Sequence, residues 1–164
     1  EILVTEETLS KREFMDKLKE SKVKVVAIKT GQQLPIFGSS LEVIATQNKD
    51  KNDSITMYGK LLNQTFLVTG NIEEKFLTSH YPKLQADVVI THQQASKKKT
   101  DGEVFKTLQA KITVISVDKK KSFKVKNGEN NQEDKELENL VLKTDKKGAI
   151  RFKGWTTWNV ETVQ

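Results

Sequence analysis

Two stretches of this sequence repeat one plan, a short β-branched run, a helix-start signal and a second β-branched run, and that plan restricts the chain to an α/β fold. In the first, Ile2–Val4 precedes Ser10-Lys11-Arg12-Glu13, and Val23, Val25, Val26 and Ile28 follow. Ser-x-x-Glu is a capping box, in which the serine oxygen accepts the amide three residues on while the glutamate reaches back. It predicts a helix to about Glu20, with Leu9 and Phe14 as a hydrophobic staple and Phe14, Met15 and Leu18 as its apolar stripe. In the second, Ala86–Ile90 is followed by Thr100-Asp101-Gly102-Glu103, a stripe of Val104, Phe105 and Leu108, and Ile112–Val117. Each is a β-α-β unit, whose two strands are expected to run parallel with a right-handed crossover.

Between and after these units the pattern changes to antiparallel signals. Leu41–Ala45, Ser54–Tyr58 and Thr65–Thr69 alternate as strands do, and Leu62-Asn63-Gln64 predicts a hairpin between the last two. Gln47–Asp53 reads as a loop, and Ile72–Leu77 as a helix capped by Asn71. Residues 118–132 are polar without an apolar period and read as a mobile loop. A short helix is expected through Leu137 and Leu140, then an end hairpin of Ala149–Lys153 and Thr156–Thr162 around the turn Asp145-Lys146-Lys147-Gly148. Trp155 and Trp158 fall in this strand region on opposite sides, one of them in the core. A length of 164 residues suits one domain, so residues 1–164 are read as a single unit. The first residues, Glu1-Ile2-Leu3-Val4, already read as strand, which suggests an internal piece of a longer polypeptide.

Composition removes several kinds of chemistry. There is no cysteine, so disulfides and thiolate metal sites are both excluded. No apolar run approaches the roughly 20 residues of a membrane span, and the chain reads as soluble, with a mean hydropathy of -0.57. The charge is uneven: residues 1–90 hold 12 Lys and Arg against 12 Asp and Glu, and residues 91–164 hold 16 against 10. The whole net charge of +6 therefore lies in the second part. Lys97, Lys98, Lys99, Lys119, Lys120, Lys121, Lys124 and Lys126 are the candidate nucleic-acid contacts, because clustered cations attract a phosphate backbone without reading its sequence. The plainer reading is that they solubilise exposed loops.

Two histidines exist, His80 and His92. His80 lies in Ser79-His80-Tyr81-Pro82 and reads as an exposed turn residue with no function. His92 directly follows the buried run Ala86–Ile90, at a strand's carboxyl end, where ligands of α/β folds collect. Asn71 closes the strand Thr65–Thr69 after Gly70 and is a second candidate position, although capping alone accounts for it. Ser96 lacks a nearby base, and no phosphate-loop or dinucleotide glycine pattern is present.

Taken in order, Asn52-Asp53-Ser54, Thr65-Phe66-Leu67-Val68-Thr69-Gly70-Asn71-Ile72-Glu73, Ala86-Asp87-Val88-Val89-Ile90-Thr91-His92, Ile115-Ser116-Val117, Lys143-Thr144-Asp145-Lys146-Lys147-Gly148-Ala149-Ile150 and Trp158-Asn159-Val160-Glu161 resemble the C-terminal metallo-β-lactamase-like domain of the ComEC family of DNA-internalisation competence proteins. The resemblance implies a partial or truncated αββα sandwich with a mixed sheet. It also implies a soluble domain of a bacterial cell-membrane protein, attached to the remainder of a larger membrane-embedded polypeptide, with DNA as a partner. In intact relatives it implies zinc or manganese at the strand ends, generating hydroxide for phosphodiester hydrolysis.

Residue by residue, the sequence departs from that pattern. Where the family has Thr-Gly-Asp this chain has Thr69-Gly70-Asn71, and where it has His-His-Gly-Ser this chain has His92-Gln93-Gln94-Ala95-Ser96. The Gly-His-Pro motif would fall near Lys126-Asn127-Gly128-Glu129, and the His-x-His-x-Asp-His cluster would lie upstream of Glu1. The expectation is therefore a ComEC-like domain whose metal site, at Asn71 and His92, is degenerate or incomplete. No cofactor is expected in this chain, and alone it is read as inactive. Two alternatives stand beside it: a metal-dependent nuclease active only with the upstream segment, and a structural or partner-binding domain. Homo-oligomerisation, covering a face that a missing layer would have buried, is a further expectation.

Overall fold

A computed structural model describes residues 1–36, 39–49, 52–61, 63–70, 72, 74–92, 107–117, 140–153 and 159–163. Its centre is a seven-stranded mixed sheet. β3 (Gln33–Ile36), β4 (Ser39–Lys49), β5 (Asn52–Leu61) and β6 (Gln64–Gly70) form an antiparallel run; β7 (Val88–His92), β8 (Ile112–Ser116) and β9 (Leu140–Lys143) continue from β6 in parallel. Two smaller sheets accompany it: β1 (Ile2–Thr5) parallel to β2 (Val25–Ile28), and β10 (Ala149–Lys153) antiparallel to β11 (Asn159–Val163). The α/β class and the mixed sheet expected from the sequence are present.

The β5–β6 hairpin, the parallel pairing of β1 with β2 and of β7 with β8, and the terminal hairpin match the sequence reading. Four details differ. The capping box at Ser10 does not form: the Ser10 hydroxyl donates to the Glu7 carbonyl, because helix α1 (Glu6–Ser10) starts earlier, with the Thr5 hydroxyl accepting the Thr8 amide at 3.1 Å. Helix α2 (Arg12–Ser21) follows without a side-chain cap and ends at Lys22 in the left-handed region (φ 54°). Within the stretch read as a loop, Gln47–Asp53, the described residues are strand: β4 runs through Lys49 and β5 begins at Asn52, long strands whose partner supplies the hydrogen bonds that polar sequence alone does not advertise. Leu140 opens β9 rather than lying in a helix, and Thr144–Lys147 forms the single turn α4 in place of a loop turn. Strand β3 gave no clear alternation because Pro35 interrupts it; proline is tolerated there because β3 lies at the sheet's margin. The predicted helix after Thr100, Leu137, Trp155, Trp158 and the polar stretch 118–132 lie outside the described residues, apart from Leu108.

The sheet divides two cores. On one face Leu67 and Val89 pack with Ile44, Leu77, Ala86, Leu108 and Ala110, beneath α3 (Glu74–His80) and its flanking turns. A bulge between Val43 and Ala45 turns Ile44 towards this core, and the Tyr81 hydroxyl takes up the Ile44 carbonyl at 2.9 Å. On the other face Ile28 and Leu34 bury Val43 with Leu41, Ile55 and Met57. The terminal hairpin covers a neighbouring part of that face, where the Phe66 and Phe152 rings meet edge-on at 5.8 Å. Among the described residues no helix is long and apolar enough to cross a membrane.

Candidate functional site

The carboxyl ends of β6, β7, β8 and β9 lie side by side, and this row is where an α/β sheet offers polar groups to a ligand. Strand β6 finishes in a bulge between Val68 and Gly70. Gly70 adopts φ +56°, and a Cβ there would strike the Ser54 Oγ and approach the Ile55 carbonyl oxygen to 2.9 Å. Only glycine therefore lets β6 turn this tightly against β5.

A line of buried hydroxyls holds the bulge. The Thr56 hydroxyl donates to the Thr69 carbonyl at 2.9 Å, and the Thr69 hydroxyl donates to Thr91 Oγ1 at 3.0 Å. Thr56 and Thr69 are both buried, so these bonds fix the spacing of β5, β6 and β7 where the strands end. His92 is the last residue of β7, exposed, and paired in register with Ser116 of β8. The sequence reading placed His92 at a strand's carboxyl end, and it lies there. Asn71, Lys97, Lys98, Lys99, Lys119, Lys120, Lys121, Lys124 and Lys126 lie outside the described residues.

Two residues at this edge carried no role in the sequence reading. Thr144 ties the ends of β8 and β9 together, its Oγ1 accepting the Val117 amide at 2.8 Å. Beside it, Asp145 in α4 has a buried Oδ1 with no hydrogen-bond partner among the described residues. A carboxylate oxygen in that state is an unspent acceptor. The sequence signal was thin, a Thr-Asp pair in a lysine-rich turn, and only the parallel pairing of β9 brings it alongside β8. Among the described residues no three His, Asp or Glu side chains gather into a cation-binding group.

His80 ends α3 rather than sitting in a turn. It stacks on Phe76 with ring centroids 4.0 Å apart and hydrogen-bonds through Nδ1 to Ser79 Oγ at 2.9 Å. That geometry accounts for it structurally.

The opposite edge, where β6, β7 and β8 begin, is held by Asp87. Its Oδ2 accepts the Thr65 amide at 2.8 Å and the Thr65 hydroxyl at 2.7 Å, and its Oδ1 accepts the Lys111 ammonium at 2.6 Å. Partial burial alone would raise this carboxyl's pKa. The Lys111 and Thr65 donors outweigh it and hold the value at about 2.

No family model matches the chain. Over 148 residues it is similar to ComE operon protein 3 of Bacillus subtilis, with 25% identity, covering 82% of this chain and 18% of that protein's length.

Proposed function

We propose that this chain is a ComEC-like competence domain involved in DNA uptake, with a degenerate or incomplete metal site, contacting DNA through its basic second part. The similarity to ComE operon protein 3 across 82% of the chain carries this reading. A partial metallo-β-lactamase-like sandwich, forming a soluble domain of a bacterial cell-membrane protein, belongs to the same proposal. The large mixed sheet with α3 on one face and the small sheets on the other supports it.

Among the described residues, the donors at the strand ends do not fit a divalent centre: His92 is the one imidazole, Asp145 the one carboxylate, and Thr91, Ser116 and Thr144 bring neutral hydroxyls, while the sequence has an amide, Asn71, where the resembled family has a carboxylate. Such a set lacks the charge and the ligand number that zinc or manganese requires. DNA contact then rests on the lysines of residues 91–164, whose phosphate contacts predict affinity that falls steeply with salt. Measuring binding of single- and double-stranded DNA against salt tests this. Reversing charge at Lys97, Lys98 and Lys99 is expected to weaken binding and flatten the salt response, and absence of binding at low salt overturns the contact role.

One observation favours a second reading, a metal-dependent phosphodiesterase completed by residues outside this sequence. The buried, unpartnered Asp145 Oδ1 is an anionic donor on the same row of strand ends. Nuclease assays with manganese on a longer natural polypeptide separate the two readings: cleavage abolished by both His92→Ala and Asp145→Asn supports the second.

A further inference from the structure

Five cations, Lys143, Lys146, Lys147, Arg151 and Lys153, and a single carboxylate, Asp145, occupy the stretch from the end of β9 to the end of β10. Asp145 has its Oδ1 buried, whereas Lys146 and Lys147 stand exposed in α4. Hydrogen bonds pin this turn in place: Thr144 Oγ1 accepts the Val117 amide at 2.8 Å, and the Gly148 amide donates to the Thr144 carbonyl at 3.0 Å. Along β10, Ala149, Arg151 and Lys153 are then exposed in alternation, while Phe152 between them meets Phe66. Two residues of strand span about 7 Å. Arg151 and Lys153 are therefore presented that far apart on one outward face.

We propose that α4 and the outward face of β10 form a track for a nucleic-acid phosphate backbone, gripped by Lys146, Lys147 and Arg151, with Glu161 restraining Lys153. Several lysines elsewhere are offset by carboxylates: Lys19 by Asp16 and Lys24 by Glu1, each at 3.3 Å, and Lys111 by Asp87 at 2.6 Å. Lys146, Lys147 and Arg151 make no ion pair among the described residues, and Lys153 reaches Glu161 at 3.4 Å. A small anion would meet one of these cations at a time. Regularly repeated phosphates engage charges spread along a turn and a strand together. Arg151 offers a planar fork to two phosphate oxygens, and the lysines act as point charges. Because α4 follows directly from the carboxyl end of β9, the track starts at the row of strand ends. This inference rests on the DNA reading and assigns the contact to residues other than Lys97, Lys98, Lys99, Lys119, Lys120 and Lys121.

The test titrates fluorescein-labelled single-stranded and duplex DNA with the full chain over a series of salt concentrations, read by fluorescence anisotropy. Lys146→Glu combined with Lys147→Glu is expected to weaken duplex binding about tenfold or more at low salt, and to make the slope of log K against log salt shallower by about two. Arg151→Gln is expected to reduce that slope by about one. Glu161→Gln, which frees Lys153, is expected to tighten binding about two- to fivefold, a gain that damage to the fold would not produce. Lys29→Glu combined with Lys83→Glu changes the net charge equally, at exposed positions away from the track, and is expected to leave the slope as in the parent. An equal loss in that control overturns the inference in favour of attraction by overall charge. If the parent binds DNA and the Lys146, Lys147 and Arg151 variants bind as it does, the track is overturned and the DNA reading stands. If the parent fails to bind at low salt, both fall.

Discussion

Thr65 and Asp87 hold each other reciprocally across the starts of β6 and β7: Thr65 gives its amide and hydroxyl to Asp87 Oδ2, and the Asp87 amide returns a bond to Thr65 Oγ1 at 2.9 Å. The Asp87 carbonyl then receives the amides of Lys111 and Ile112, at 2.9 and 3.0 Å, which carries the link on to β8. One aspartate thus sets the registration of three strands at the edge opposite the candidate site.

This clasp should be acid-sensitive. The carboxyl is depressed from 3.8 to about 2, so its stabilisation is complete above the ordinary aspartate value and is lost as pH falls through about 2. Asp87→Asn should cost about 1–3 kcal/mol at neutral pH, read from urea unfolding, and the difference from the parent should shrink as pH drops towards about 2. Lys111→Ala should cost less, at most about 1 kcal/mol, because the lysine side chain is 72% exposed.

Gly70 and Gly31 both have positive φ, +56° and +84°, but only Gly70 is crowded. Gly31→Ala should cost about 1 kcal/mol from backbone conformation alone. Gly70→Ala adds collision with Ser54 and Ile55, and should exceed about 2 kcal/mol. Thermal unfolding of the two variants side by side checks the order; equal losses would show that β6 does not need its close approach to β5.

Replacing Thr144 with valine keeps the shape and removes the acceptor for the Val117 amide. Val117 is 9% exposed, so water cannot easily substitute, and the loss should be about 1–3 kcal/mol. Thr144→Ser should restore most of it. Hydrogen exchange at the Val117 amide should accelerate in the valine variant and not in the serine variant.

Zinc or manganese should leave the melting temperature unchanged. An ion present at a hundred times its dissociation constant would add about 2.7 kcal/mol to the folded state, a shift easily seen by calorimetry. A rise that His92→Ala removes would contradict the proposed metal-poor donor set.

Legibility followed how local each determinant is. The apolar runs at Val88-Val89-Ile90 and Ile112–Val117 declare buried parallel strands because both of their faces are covered. By contrast, Thr5 wins the cap from Ser10 through a contact that begins one turn earlier, and residues 47–49 and 52–53 become strand through cross-strand pairing. His92 was visible as the residue closing an apolar run. Asp145 was not, because its neighbours at the sheet edge come from β8, far away in sequence.

Pro35 gives the central sheet a guarded flank. A ring nitrogen without hydrogen breaks the row of donors that any incoming chain would use to extend the sheet past β3. Fibril-like stacking through that side is therefore discouraged even though Ile36, 38% exposed, would otherwise invite it. Exchanging Pro35 for a β-branched residue would lift this guard and trade solubility for a longer, stickier rim.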